Sequence, residues 1–327
     1  MKIVHVKSPC CKARVIRYGG KRRQCSACST TFTIRPQRRG RRRVRHTQRY
    51  IQHIFQEGCK LKHLTHGTLS LAAVQKRFQR ALPAFISQPR SMHIRGTCLA
   101  LIIDARWHTF HKERFTMYFF AVKSSHRDTA VMFDPLLRKG KEAAHVWKEL
   151  IGAVVSLAIK RRIVALVSDG LAGGKGIAAT FGWKHQRCHF HLIKELAIRR
   201  GRRKHLSGWT TREQIYQDIR KLLCSKSPSK IRFLIHRLQR LSRHNDCPSK
   251  IRMIVNEVIG ELPAFHLYLT HPEWNLPNTT CVMESLGNLV HAGVGKVRTP
   301  QALFNWATAT IRAHPKFTCR RTNYQQN

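Results

Sequence analysis

CLALIID (Cys98–Asp104), RFTMYFFAVK (Arg114–Lys123) and RRIVALVSDG (Arg161–Gly170) decide the fold. Each is an apolar run of strand length, rich in β-formers and bounded by polar or glycine breaks. The first two are close enough to make a hairpin, and TAVMF (Thr129–Phe133) adds a third strand before Pro135. Next, Val146, Leu150, Val154 and Leu157 recur at helical spacing and predict one helix from Glu142 to Ile159. Three strands, a helix and another strand predict an α/β core that begins as a meander.

Downstream, residues 205 to 270 read as helical, with basic faces such as Lys230-Ile231-Arg232-Phe233-Leu234. Thr279 to Ala313 predicts two further helices parted by Gly293 and Gly295. Upstream, Tyr50, Ile51, Ile54 and Phe55 have helical spacing before Gly58. Ser70 can cap a second helix through Val74, Phe78 and Leu82, which Pro83 is expected to end. With a turn near Gly67 these form a candidate helix-turn-helix that offers Gln75, Arg77 and Gln79 to base edges. A small helical packing unit is the plainer reading.

The charge is extreme: 61 Lys and Arg against 16 Asp and Glu, a formal net of +45. Self-repulsion on that scale calls for a polyanionic partner, and nucleic acid is the expectation. At 42% hydrophobic residues the chain can build an ordinary core. Leu150–Ile159, its longest apolar run, is too short to span a bilayer, and Met1–Lys7 lacks the apolar stretch of a signal peptide. A cytoplasmic, nucleoid-associated protein with no membrane partner is therefore expected.

The eleven cysteines suggest reduced thiols and one local metal cluster. Cys25-x-x-Cys28 is a regular zinc knuckle, whereas its partner is irregular: Cys10 and Cys11 are adjacent, and Ser8 stands three before Cys11. Zn²⁺ needs four ligands, so Cys11, Cys25 and Cys28 require either Cys10 or His5. The purely cationic stretch Arg35–Arg45 follows, in which Arg38, Arg39, Arg41, Arg42 and Arg43 could line a minor groove or act as a solvated phosphate-binding tether.

Carboxylates are scarce, so their positions carry information. Asp104 ends one apolar run and Asp169 ends another. On neighbouring strands they would repel, and Mg²⁺ (or Mn²⁺) would resolve that repulsion while leaving positions open for phosphate oxygens. Holding two metals usually takes a third carboxylate, and Glu284, in the first turns of the helix after Thr279-Thr280, is the best candidate. The bland alternative is that each acid caps a turn. Glu257 and Glu261 read as solvent-facing charges, and Glu195 as the i,i+4 partner of Arg199.

Asp104 after an apolar strand, Ser168-Asp169-Gly170, Cys188-x-x-His191 and Asn278-Thr-Thr-x-x-x-Glu284 resemble, in that order, the DDE transposases of bacterial or archaeal insertion sequences. Within these the chain is most similar to the Mutator-like group, which carries a C-x-x-H pair. The resemblance covers Cys98 to Ala313. It implies an RNase H-like fold with Asp104, Asp169 and Glu284 as catalytic metal ligands, and Cys188 with His191 as a signature pair. The 115-residue spacing from Asp169 to Glu284 agrees with a helical insertion. The implied activity is Mg²⁺-dependent cleavage and strand transfer on double-stranded DNA, namely terminal inverted repeats and target. A homo-oligomer is implied at family level.

The expected fold class is thus α/β: an RNase H-like core with an all-α insertion, preceded by a zinc ribbon and a helix-turn-helix. The expected division is 1–34 zinc ribbon, 35–46 basic arm, 47–95 helix-turn-helix, 96–204 first part of the core, 205–275 insertion and 276–327 final helices. Without a second pair of ligands, Cys188 and His191 read as braces rather than a metal site, and His189 as exposed. Gly170–Gly176 fails as a Walker loop and reads as a mobile loop beside the metal site. Trp209 could stack on an unpaired base, although core packing explains it better. Two rivals remain: a non-enzymatic zinc-ribbon and helix-turn-helix DNA-binding protein derived from an inactive transposase, and a basic RNA-associated structural protein.

Overall fold

The computed structural model describes residues 7–8, 10–17, 22–33, 51, 54–56, 70–90, 92–202, 205, 208–294 and 297–319. His5, the Arg38–Arg43 arm and most of the first helix of the candidate helix-turn-helix lie outside them. The chain divides into two units, Met1–Ile51 and Gln52–Asn327.

The amino-terminal unit contains a three-stranded antiparallel sheet, β1 (Val15–Arg17), β2 (Arg22–Cys25) and β3 (Thr31–Thr33), in the order β1-β2-β3. Among its described residues Cys25 and Ser8 are buried whereas Ile16 is exposed, so its core is small.

The larger unit is mixed α/β around a seven-stranded mixed sheet. Helix α1 (Leu71–Ile86) is capped by Ser70, whose side chain accepts from the Ala73 amide. It buries Val74 and Phe78, with Phe78 beside Trp306, and leaves Gln75, Arg77 and Gln79 exposed. Pro83 does not end this helix. The chain turns helically past it to Ile86, and the Ser87 amide bonds back to the Pro83 carbonyl.

Strands β4 (Leu99–Phe110) and β5 (Glu113–Ser124) pair antiparallel along their whole length. β6 (Thr129–Met132) and β7 (Leu136–Lys139) both pair with β5. One long helix was expected next, but the chain breaks it into α2 (Ala144–Val154) and α3 (Leu157–Lys160). The break comes at Val155, which is extended and buried. β8 (Ile163–Ser168) runs parallel to β4, and β9 (Lys184–Arg187) runs parallel to β8. Between them Gly170–Gly176 is not a loop throughout: after Gly173 at φ +86°, α4 (Gly174–Thr180) begins.

Then come α5 (His189–Arg200), α6 (Trp209–Cys224), α7 (Pro228–Arg243), α8 (Ser249–Gly260) and α9 (Leu262–Thr270). The chain closes with α10 (Cys281–Val294), α11 (Pro300–Ala313) and β10 (Lys316–Thr318). β10 pairs with β6, so the sheet order is β10-β6-β5-β4-β8-β9.

Alternation along the strands fixes what each face meets. Leu99, Leu101, Ile103 and Leu166 pack with Trp147, Leu150 and Ile177 under α2 and α4. Ala100, Ile102, Ala165 and Val167 pack with Met283, Leu286, Leu303 and Ile311 of α10 and α11. The helices α6 to α9 form a separate apolar cluster with the inner side of α5, built on Leu196, Ile219, Leu238, Val255 and Phe265. Within it the fully buried Asp218 is paired with Arg237.

Among the described residues no helix is long and apolar enough to cross a membrane.

Candidate metal centres

The sheet register places the two aspartates. The last β4–β8 pair is Ile102 with Val167. Asp104, two residues further along β4, falls on the face that meets α10, and Asp169 lies just past the end of β8. Asp104 does not end its strand as expected. β4 runs six residues beyond it, paired only with β5, so the carboxylate sits where the sheet loses its β8 neighbour. Asp169 follows the last residue of β8, and its Oδ1 accepts from the Leu171 amide (3.1 Å).

Glu284 enters from α10. Asp104, His191 and Glu284 each offer a ligand atom, and these atoms lie within 4.8 Å of one another. Asp169 is outside that tight group but close enough to act on Asp104 by charge. Burial first, and the neighbouring Asp169 carboxylate second, push the Asp104 carboxyl up to about 7. Glu284 goes the other way: the hydrogen bond from His191, with the charges of Arg106 and Lys194, holds it down at about 2. Its Oε1 faces His191 Nε2 (3.1 Å) and Lys194 Nζ (3.8 Å), and its Oε2 accepts from Arg106 Nη2 (2.7 Å).

Cys188 and His191 brace the entry to α10. The Thr280 amide and hydroxyl both donate to Cys188 Sγ (3.2 and 3.3 Å), and His191 Nδ1 lies 3.3 Å from the same hydroxyl. Burial opposes charge on His191, but Cys188, Glu284 and Asp104 outweigh it and carry it up to about 10. Protonated, the imidazole donates to Thr280 on one side and to Glu284 on the other. The C-x-x-H pair therefore ties the end of β9 to the start of the glutamate helix, and its histidine also borders the carboxylates.

His189 is buried, not exposed as its alternation suggested. Its Nε2 donates to the Phe265 carbonyl (2.9 Å), and burial keeps it neutral with a pKa of about 4. Glu257 and Glu261 face solvent as expected, and both also hold Arg187 Nη1, at 2.5 and 2.7 Å. Glu195 does pair with Arg199, at 3.7 Å. Arg106, Lys194 and Gly287 were missed by sequence reasoning, and Thr280 was read only as part of the motif before Glu284. Only Arg106 had a local signal, since period two puts it on the same side of β4 as Asp104.

In the amino-terminal unit the Sγ atoms of Cys10, Cys11, Cys25 and Cys28 lie within 4.8 Å of one another, so among the described residues Cys10 completes the set. The two knuckles are built alike. In each, a residue's carbonyl accepts from the amide four residues on: Ser8 from Lys12 and Cys25 from Ser29, both at 3.0 Å. Lys12 and Ser29 both adopt positive φ (51° and 57°). Ser8 thus occupies the place Cys25 holds in the other knuckle, and its hydroxyl accepts from Cys25 Sγ (3.2 Å). Hydrogen bonds, led by that to Ser8, bring Cys25 down to about 6, whereas Cys11 is raised to about 12 by its bond to Cys28.

The donor sets fit different ions. Four thiols close enough to meet one centre suit Zn²⁺, whose ~2.3 Å bonds to sulfur need ligand atoms roughly 3.8 Å apart. Neighbouring carboxylates, of which Asp104 is buried, suit a hard divalent cation such as Mg²⁺. Compared with known proteins, the chain matches no family model, and no similar curated protein was found.

Proposed function

We propose that this protein is a DNA transposase of the DDE type, an enzyme that cleaves and joins DNA strands at the ends of an insertion sequence. The supporting observation is convergence: Asp104 and Glu284, 180 residues apart in the chain, offer ligand atoms within 4.8 Å of each other, and Asp169, 65 residues after Asp104, is near enough to raise its carboxyl by charge. The antiparallel run β4, β5 and β6 with β8 and β9 parallel to β4, and acids on β4 and just after β8, supports an RNase H-like core. The cluster of α6 to α9, between Asp169 and Glu284, supports the helical insertion. The four-thiol unit supports a zinc ribbon, and Gln75, Arg77 and Gln79 on the exposed side of α1 support a DNA-reading helix.

Asp104, Asp169 and Glu284 would hold Mg²⁺ or Mn²⁺, and Cys10, Cys11, Cys25 and Cys28 would hold Zn²⁺. The divalent ions, when bound, stabilise charge on the attacking and leaving oxygens of a phosphodiester. The chain's own residues do the positioning. The parallel β4–β8 pair brings both aspartates to the same end of the sheet, Thr280 fixes where α10 starts, and His191 orients Glu284. In cleavage a water oxygen bonds to phosphorus and the 3′-oxygen leaves as a hydroxyl, with the phosphate staying on the 5′ side. In strand transfer that 3′-hydroxyl attacks a target phosphodiester, and the target's own 3′-oxygen leaves. The +45 charge attracts and holds both duplexes by neutralising phosphates.

The test is incubation of purified protein with DNA carrying the inverted repeats that flank its coding sequence. Nicks with 3′-hydroxyl ends are expected only with Mg²⁺ or Mn²⁺ present. Equal nicking by Asp104→Ala and Asp169→Ala, or none by the wild type with either metal, overturns the proposal.

A further inference from the structure

Glu284 carries more positive charge than one carboxylate can neutralise. Arg106, His191 and Lys194 all converge on it, and both its oxygens are engaged. Each of these cations competes with a metal ion for the carboxylate's charge and lone pairs, so the metal site strengthens when one of them yields.

The geometry singles out Arg106. It lies two residues after Asp104 on the same side of β4 and reaches across to α10. There it lies over Gly287, one turn beyond Glu284. A Cβ at position 287 would stand 2.0 Å from Arg106 Cζ and 2.1 Å from its Nε, so any other residue evicts the guanidinium from this place. The grip on Glu284 is one-sided. Arg106 donates only through Nη2, to Oε2 and more weakly to the Glu284 carbonyl at 3.4 Å. Among the described residues its Nε and Nη1 donors are unspent. A guanidinium with a free fork beside buried carboxylates is shaped to receive a phosphate edge-on.

Resting on the DNA-cleavage reading above, we propose that Arg106 is a phosphate-binding residue that Glu284 holds in reserve. In the DNA-free protein it occupies Glu284 Oε2. When a phosphodiester enters, the guanidinium passes to a non-bridging phosphate oxygen, and Oε2 becomes available as a metal ligand. Substrate binding and assembly of the metal site are thereby coupled, and strand cleavage waits for DNA.

The experiment measures Mn²⁺ affinity of the DNA-free full chain by calorimetric titration, alongside cleavage kinetics, for wild type, Arg106→Gln, Arg106→Lys and Gly287→Ala. Arg106→Gln removes the guanidinium, whereas Gly287→Ala displaces it by a steric route. Both are expected to bind Mn²⁺ roughly tenfold more tightly than wild type without DNA, the size of an ordinary coupling factor. Arg106→Gln is expected to lower kcat roughly 100-fold with little change in KM for DNA, as for a donor aimed at transition-state charge. Arg106→Lys is expected to restore part of that rate.

Unchanged or weaker Mn²⁺ binding in both Arg106→Gln and Gly287→Ala, each with a native circular dichroism spectrum, overturns the exchange while leaving cleavage by the wild type intact. A wild type that neither binds Mn²⁺ nor cuts DNA would instead remove the cleavage reading on which the exchange rests.

Discussion

The two candidate metal centres are built by opposite means. The thiol cluster is local: two turns of like geometry, centred 17 residues apart at Ser8 and Cys25, supply all four ligands. Its surroundings are a sheet of short strands, so ligand bonds would have to supply much of what a core normally does. The carboxylate centre is the reverse. Its residues come from β4, the end of β8, α5 and α10, elements that pack on a large apolar core. One site would build its fold, and the other is built by its fold.

That contrast breaks first at the cysteines. Cys25→Ser, or chelation of zinc, should abolish amide-exchange protection of β1 to β3, since structural zinc supplies ~10–16 kcal/mol of apparent folding energy in small domains. The melting of the larger unit should stay unchanged. Protection that persists without metal would make the amino-terminal unit an ordinary small fold.

The carboxylates should behave oppositely. Asp169→Asn should lower cleavage by roughly 10³-fold or more while leaving duplex affinity and thermal stability near wild type. A gel-shift assay and a melting curve on the same preparation check both halves. A large loss of folding would mean that the acid is structural.

The pH dependence sharpens the comparison further. Asp104, raised to about 7 by burial and then by Asp169, binds its proton more tightly folded than unfolded. Its stabilising contribution is complete below the ordinary carboxyl range and is lost as pH rises toward 7. His185 and His189, kept neutral by burial at about 4, work in the opposite direction, and their contribution is lost as pH falls from about 6.5 toward 4. The readout is therefore the difference between wild type and Asp104→Asn in metal-free buffer. The wild type should lose up to about 4 kcal/mol relative to the variant between pH 4 and pH 7. Parallel stability curves would show that Asp104 is not strained.

The smallest effect is expected at Thr280. Thr280→Val keeps the shape but removes the hydroxyl joining Cys188 to His191. Stability should fall by about 1 kcal/mol, and cleavage by roughly tenfold, as when a residue that orients a metal ligand is lost. Rescue of the rate by Thr280→Ser, which restores the hydroxyl, would separate this brace from packing.

Much of this could be read along the chain, and the reasons are local. β-Formers announce β4, β5, β6 and β8, and C-x-x-C announces its knuckle. Scarcity of acids in a cationic protein makes Asp104, Asp169 and Glu284 conspicuous. Local pattern was misleading where long-range packing outweighed it. Val155 is buried in extended form and splits one periodic run into two helices. Pro83 is carried inside a helix whose far side rests on α11. His189 looked like a surface residue because its partner, the Phe265 carbonyl, lies 76 residues away.

The residue types already pointed to an α/β protein, and they made a polyanionic partner and two separate kinds of cation site the expectation. Folding assigned the roles within each site. Cys10 joins its cluster because Ser8 takes the regular position, His191 and Arg106 share Glu284 because β4 and α10 cross there, and Gly287 leaves room for a guanidinium from another strand. Those assignments depend on distances between segments remote in the chain, and periodicity carries no information about such distances.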